Sequence, residues 1–300
     1  KILEDKPFKI YPDFSTGGSI DVTDYKAGKR GGRVKVRAVI EKEDKDTLVI
    51  KELPYGVTTA NLMDSIVKAN DKGKIKIKKV TDNTAKDVAI VVDLASGVSP
   101  EVTMDALYAF TNCEVSISPN ACVIVDNKPL FLTVNDLLKY STEATKDLLR
   151  QELEIRKGEL EEKWHFAGLE KIFIQNRVYR EIEECETWEA VIEVIDKELK
   201  KYVSTPSDKR RRNEKRIDLL REVTEEDIVR LTEIRIKRIS KYNSFKADEL
   251  IAKLEEELTE VKHHLEHLTE YAIAYFKDLL ARYGKGKERR TEITTFDTIQ

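Results

Sequence analysis

The sequence predicts an α+β protein: a mixed α/β domain, then a long antiparallel two-helix coiled coil capped by a small all-α dimerisation head. Three observations carry that prediction. Short strand patterns alternate with two capped helices over residues 1–133, the signature of helices laid on a sheet. From about Lys246 to Tyr283, the residues Ile251, Leu254, Leu258, Val261, Leu265, Leu268, Ala272, Tyr275 and Leu279 recur at three-then-four spacing, a coiled-coil seam. A second helical run without proline ascends from Val134 towards Cys185 and supplies the partner such a seam needs.

The elements follow in order. Val34, Val36, Ala38 and Ile40 alternate with Lys35 and Arg37, which predicts one strand with a basic face. Lys42 to Asp46 reads as a polar turn and Leu48–Leu53 as the return strand. Thr59 is placed to cap a helix whose apolar face is Leu62, Met63, Ile66 and Val67. Strands are expected over 75–80 and 88–94. Ser99-Pro100-Glu101 opens a second helix with a capping Ser, Pro in the first turn and an acid beside it, with Leu107 and Phe110 facing the core. Val115–Ile117, Val123–Val125 and Leu130–Leu132 read as strands, with Asp126-Asn127 as turn chemistry.

From Val134 the pattern becomes helical. Thr133 or Asn135 caps the ascending helix, residues 134–182, whose seam is Leu149, Leu153, Arg156, Leu160 and Ala167. Residues 183–245 read as the head. Trp188, Val191, Ile192, Ile195 and Leu199 make one amphipathic helix, and Lys209–Arg216 is a basic loop. Thr224-Glu-Glu-Asp227 is a capping signal for a helix carrying Ile228, Leu231, Ile234, Ile236 and Ile239. The descending helix occupies 246–283, about 50 Å at 1.5 Å per residue. Residues 284–300 hold a short strand returning to the first domain.

Composition narrows the function. The 300 residues are 40% hydrophobic and 36% charged with a net charge of −3, a globular balance tilted towards solvated helices. Cys113, Cys122 and Cys185 are too scattered for a disulfide framework or a zinc site, which points to a reducing compartment, and Cys113 and Cys122 read as buried small hydrophobes. No run approaches the ~18 apolar residues of a membrane span. The chain begins at Lys1, without Met and close to a strand, and reads as an excised piece of a longer protein. No Ser/His/Asp or paired-carboxylate spacing stands out. His263, His264 and His267 have metal-ligand spacing but no further ligand nearby, so they read as a solvated helix face.

Two patches point to binding. Lys26, Lys29, Arg30, Arg33, Lys35 and Arg37 place six cations within twelve residues that contain no acid, a composition suited to phosphate contacts along a duplex. Ile234, Ile236 and Ile239 are the apolar residues expected at a contact between two heads, since a small head buries too little surface to be strongly stable alone.

Several motifs resemble one family. Asp13-Phe-Ser-Thr-Gly-Gly18 is similar to D-F-P-T-G-G, with Ser for Pro, and Lys51-Glu-Leu-Pro-Tyr55 to E-[IL]-P-Y. Leu107-Tyr108 with Thr111 and Asn120 is similar to L-Y-x-x-T…N. Glu233-Ile-Arg-Ile236 resembles an L-R-L helix and Arg289-Arg-Thr-Glu-Ile-Thr294 resembles R-R-T-E-I-T. In this order they resemble the A subunit of bacterial type IIA DNA topoisomerases, gyrase A and topoisomerase IV A. Two departures stand out: Lys29-Arg30-Gly31-Gly32 where the family has G-R-G, and Ser141–Ala144 where it has R-H-R.

The resemblance implies a tower over 1–133, a stalk over 134–182 and 246–283, and an exit gate (C-gate) over 183–245. It implies double-stranded DNA as substrate, a homodimer through the C-gate and a B subunit partner in an A2B2 assembly in the cytoplasm, on the nucleoid. ATP and Mg then belong to the B subunit, and this segment carries no cofactor and no metal. The family's catalytic Tyr lies upstream of the D-F-x-T-G-G motif. None of the eleven tyrosines here has its R-Y context, so no catalytic residue is expected and the segment alone should be inactive. A topoisomerase IV A-type subunit is favoured over gyrase A. The alternative is a non-enzymatic coiled-coil scaffold with a basic DNA-binding adaptor, which the parent's upstream sequence would distinguish.

Overall fold

Two four-stranded sheets dominate the first of two units into which the chain divides, residues 1–144 with 276–300; the second is residues 145–275. The structure, a computed structural model, describes residues 1–210 and 215–299. The architecture is α+β, with mixed sheets and eight α-helices among the described residues.

In the first unit the chain runs β1 (Ser19–Asp21), β2 (Val34–Arg37), β3 (Val39–Asp44), β4 (Thr47–Glu52), α1 (Thr59–Asp71), β5 (Ile77–Asp82), β6 (Ile90–Leu94), α2 (Pro100–Phe110), β7 (Glu114–Ile117), β8 (Cys122–Val125) and β9 (Lys128–Phe131), and α3 (Val134–Gln175) begins there. The strand expected over Val34–Ile40 is two strands in two sheets. Ala38 marks the switch: its N–H donates to the Cys113 carbonyl at 2.8 Å and its carbonyl accepts from the Tyr108 hydroxyl at 3.0 Å. Both backbone groups are thus satisfied outside a ladder, which frees β3 to pair with β4 while β2 lies between β1 and β7. The expected turn at 42–46 begins only after Asp44.

β3, β4, β6 and β5 form one sheet, and Ile40, Leu48, Ile50, Ile90 and Val92 project from one face onto Leu62 and Ile66 of α1 and Leu107 of α2. Thr58, not Thr59, caps α1, its hydroxyl accepting the Asn61 N–H, and Val67 is exposed. Ser99 and Pro100 open α2 as expected, but Phe110 is half exposed under the Lys74 ammonium. Asp126 and Asn127 both adopt positive φ in the β8–β9 turn. Cys113 is buried, burial pushing its thiol up to about 12; Cys122 is exposed on the first strand of that hairpin, contrary to the expectation.

In the second unit, α3 ends at Gln175, short of the expected end at 182, because Arg177 turns into the left-handed region. Then come α4 (Trp188–Leu199), β10 (Val203–Ser204), β11 (Ile217–Asp218), α5 (Glu225–Thr232), α6 (Ile236–Ser240), α7 (Ser244–Glu266) and α8 (Leu268–Tyr283), whose residues from 276 on belong to the first unit, as does β12 (Glu292–Ile293). Ile195 and Leu199 of α4 share a buried core with Phe173 of α3 and Ile228 and Leu231 of α5. Trp188 is half exposed.

Leu153 and Leu160 of α3 pack with Leu254, Leu258 and Val261 of α7. Arg156 of the α3 seam meets Glu257 at 2.7 Å, Trp164 Nε1 donates to Glu255 at 3.0 Å, and Lys171 pairs with Asp248, so numbers rise on one helix as they fall on the other. Two expected continuous helices are broken. The 246–283 run is interrupted at His267, whose backbone leaves helical geometry while its ring Nδ1 sits 3.0 Å from the His263 carbonyl, an acceptor its own N–H already uses. The helix expected to carry Ile228 through Ile239 stops at Thr232 and restarts as α6. No helix is long and apolar enough to cross a membrane among the described residues.

Candidate nucleic-acid interface

The cationic tract sits on a backbone frame made by the two ends of the first unit. The Asp13 carboxylate accepts the N–H groups of Arg290 and Thr291 at 3.0 and 2.9 Å. The fully buried Thr291 hydroxyl accepts from the Phe14 N–H at 2.8 Å and donates to the Gly17 carbonyl at 3.0 Å. Arg289 donates to the carbonyls of Tyr11 and Pro12. The Thr291 N–H leads the causes that hold the Asp13 carboxyl below its usual range. The strand β12 then pairs with β1, Ser19 opposite Glu292.

Gly18 explains why no side chain is tolerated here: its φ is +76°, and an added Cβ would lie 2.6 Å from the Arg37 carbonyl. Its N–H donates to Glu52 at 2.6 Å, and Phe14 stacks on Tyr55 with ring centres 4.8 Å apart. The segments 13–18, 51–55 and 289–294 are therefore one contact set.

From this frame β1 leads into the loop that bears the cations. Ala27, Gly28 and Gly31 have positive φ, and turns close from Lys29 N–H to the Lys26 carbonyl (3.0 Å) and from Gly32 N–H to the Lys29 carbonyl (3.2 Å). The loop is pinned by bonds from Ala121 N–H to the Gly28 carbonyl and from Val134 N–H to the Ala27 carbonyl, both 2.8 Å. An added Cβ at Gly28 would meet Val134 at 2.7 Å, which fixes glycine where the loop touches α3.

The six cations do not share one environment. Lys26, Lys29 and Arg30 are exposed on the loop and have no ion-pair partner among the described residues. Arg33 is exposed but paired with Asp24 at 3.2 Å. Lys35 and Arg33 line a cleft of about 200 Å³ with Asp21, Asp24 and Phe296. Arg37 is largely buried: Nε meets Glu114 at 2.6 Å and the guanidinium is sandwiched between the Tyr108 and Phe296 rings at 4.5 and 4.2 Å. The tract holds no acid, yet the fold brings Asp24 and Glu114 to it; the β2–β7 register that places Glu114 opposite Arg37 is a long-range pairing no local count reveals.

A family model for the A subunit of DNA gyrase/topoisomerase IV matches residues 1–279. The chain belongs to this family. It is 36% identical over 287 residues to the A subunit of DNA topoisomerase 4 from Borreliella burgdorferi, covering 96% of this chain and 44% of that protein. It is 30% identical over 159 residues to the DNA gyrase A subunit of Lawsonia intracellularis, covering 49% of this chain and 19% of that protein. The gyrase A subunit of Brachyspira hyodysenteriae is 25% identical over 300 residues, covering 94% and 33%. The chain therefore spans less than half the length of these gyrase and topoisomerase IV relatives.

The second unit places the three isoleucines differently from one another. Ile234 and Ile239 are half buried against the core of α3, α4 and α5, whereas Ile236, at the start of α6, is 83% exposed. Of the basic loop 209–216, residues 211–214 lie outside the described residues; Arg210 pairs with Asp208 at 2.5 Å.

Sequence reasoning missed one buried polar cluster in this unit. His165 of α3 meets the carboxylate of Asp227, at the start of α5, at 3.1 Å, with both side chains almost fully buried. Arg221 donates to both oxygens of Asp227 (2.6 and 2.8 Å) and both of Glu162 (2.7 and 2.9 Å). Burial alone would raise the Asp227 carboxyl, but Arg221, the Thr224 N–H and His165 outweigh it and hold it below the usual range. The capping signal at Thr224–Asp227 was its only legible trace.

Proposed function

We propose that the chain is part of the breakage-reunion subunit of a type IIA DNA topoisomerase that passes one duplex through another at the expense of ATP. In this reading residues 1–133 are tower surface flanking the DNA gate. The helices 134–182 and 246–283 are an antiparallel coiled-coil stalk, and residues 183–245 are an exit gate where two copies meet. The observation that carries the proposal is the backbone-pinned loop of Lys26, Lys29 and Arg30, joined to the frame of the family motifs. Cations on a backbone-pinned loop suit phosphate contacts that anchor a duplex without reading its sequence. Arg33 and Lys35 extend the track, and Arg37, already paired, positions β2 beneath it.

The mechanism follows from these roles. The cleaved duplex stays on the loop while a second duplex passes, and two heads part through the Ile236 contact to release it. Ile234 and Ile239 support that contact from beneath. The partners are double-stranded DNA, a second copy and the B subunit, which holds ATP and Mg, in a cytoplasmic A2B2 enzyme acting on the nucleoid. The test uses the intact breakage-reunion subunit with its B partner. Lys29→Ala/Arg30→Ala is expected to weaken DNA binding on every sequence and reduce the salt slope by about 2, at roughly 0.9 per phosphate. An unchanged slope refutes the assignment of the track. Loss of binding to some sequences only would refute it equally.

A further inference from the structure

An open cleft of about 810 Å³ lies within the second unit, bounded by Phe166 and Ala167 of α3, the α5–α6 segment and the first turn of α7. Its volume is in the range of small-molecule sites, roughly 300–1,000 Å³. The lining mixes an aromatic and apolar floor with a cationic rim. Arg235, Lys237, Arg238 and Lys241 belong to α6 and its flanks, and Arg230 and Lys246 to α5 and α7. Only two carboxylates line the same space, Glu170 and Glu233. That excess arises on a chain whose net charge is −3, so it is a local arrangement and not a general basicity.

Two of the six cations are already engaged. Arg238 Nε lies 2.5 Å from the buried Glu170 carboxylate, and the Arg230 guanidinium sits 4.0 Å from the centre of the Phe166 ring. Arg235, Lys237, Lys241 and Lys246 are exposed and have no ion-pair partner among the described residues. Crowded like charges repel one another, and an anion in their midst relieves that repulsion while gaining several attractive contacts at once. The 23-residue α7 begins in the same cleft, and its Asn243 cap accepts the Lys246 N–H, leaving the positive helix end on the same side. A merely solvated row of lysines needs no concavity and no aromatic floor; this one has both.

We propose that this cleft binds a phosphate-bearing anion, with Arg235, Lys237 and Lys241 taking the phosphate and Phe166 and Tyr242 facing the remainder of the ligand. Phosphate can come from a nucleotide or from the backbone of a nucleic acid, and the recognising chemistry is the same. The assignment does not depend on the DNA track of the first unit.

The test is calorimetric titration of the whole chain at low ionic strength with pyrophosphate, with ATP and with a short DNA duplex. The comparison is Lys237→Glu/Lys241→Glu against Lys29→Glu/Arg30→Glu. All four positions are exposed, and circular dichroism checks that each variant stays folded. The expected result is that the Lys237/Lys241 variant loses at least about tenfold in affinity for one of the probes, as two charge-assisted contacts require. The Lys29/Arg30 variant should keep its affinity for pyrophosphate and ATP, while on the duplex, which the track of the first unit also binds, each variant should lose affinity and the two losses should add. Loss confined to pyrophosphate and ATP identifies a free phosphate ligand; loss confined to the duplex identifies the nucleic-acid backbone. If no probe binds, or if every affinity survives Lys237→Glu/Lys241→Glu, the assignment is overturned.

Discussion

Replacing Asp227 by Ala removes several interactions of one 3% exposed carboxylate at once. The capping box at Thr224 opens, since the Asp227 side chain accepts the Thr224 N–H at 3.0 Å while Thr224 accepts the Asp227 N–H; a lost cap costs about 0.5–2 kcal/mol. His165 loses the partner of its Nε2 while its Nδ1 has none among the described residues, leaving a buried imidazole with neither nitrogen bonded there; such a group costs about 1–3 kcal/mol. Arg221 keeps Glu162 and access to solvent, so its share is small. The effects overlap, and the expected loss is about 2–4 kcal/mol, set by the cap and the orphaned imidazole. Both tryptophans, Trp164 and Trp188, lie in the second unit, so intrinsic fluorescence during urea unfolding reports on that unit alone. Glu162→Gln is the comparison: its side chain is 54% exposed and its loss should stay under about 1 kcal/mol. A loss below about 1 kcal/mol for Asp227→Ala, or equal losses for both variants, refutes the claim that this cluster holds α3 to α5.

The same carboxylate sets an acid response. A group held below its usual range stabilises fully above its unfolded pKa, about 3.9 for Asp, and loses that contribution as pH falls through the folded value. The fluorescence midpoint should therefore drop below about pH 4, and Asp227→Asn should flatten that drop; a parallel drop in both proteins would contradict it. Thr291→Val keeps shape but orphans the Phe14 N–H and the Gly17 carbonyl. It should cost about 1–3 kcal/mol, read by hydrogen exchange at β1. Gly18→Ala combines positive φ with a 2.6 Å approach to the Arg37 carbonyl, so a loss of about 1–3 kcal/mol or more is expected by thermal unfolding followed by tyrosine signals. Ile236→Asp should leave the midpoint within about 0.5 kcal/mol of the parent, as for an exposed site, while shifting sedimentation equilibrium towards monomer.

What could be read from the chain was what is encoded locally. Ser99-Pro100, Thr224–Asp227 and Asp126-Asn127 each satisfy their own backbone groups within a few residues, and each appears where the spacing placed it. The failures share the opposite property. Ala38 breaks a strand because residues 108 and 113 supply its hydrogen bonds, and no alternation pattern contains that information. The heptad period runs unbroken past His267 in sequence, yet the backbone leaves helical geometry there, with the His267 ring sharing the His263 carbonyl with its own N–H. Arg156, a cation on an otherwise apolar seam, is matched by Glu257 across the helix pair. At the candidate interface the count of cations was legible, while the division into free, paired and buried ones was set by Asp24 and Glu114.

The motifs that resemble the family form one contact set in the fold. Asp13, Gly17 and Gly18 hold Arg290–Glu292 through backbone, carboxylate and hydroxyl bonds. Glu52 and Tyr55 lock the same turn from β4, and Tyr108 carries both the Ala38 carbonyl and the Arg37 guanidinium. The loop of Lys26, Lys29 and Arg30 hangs between β1 and β2, whose positions these contacts fix. A duplex pulled against that loop would therefore load the clasp between residues 13–18 and 289–294. Rigid support is what separates a phosphate track from a flexible basic tail, because a loop whose backbone is already pinned loses little backbone entropy on binding.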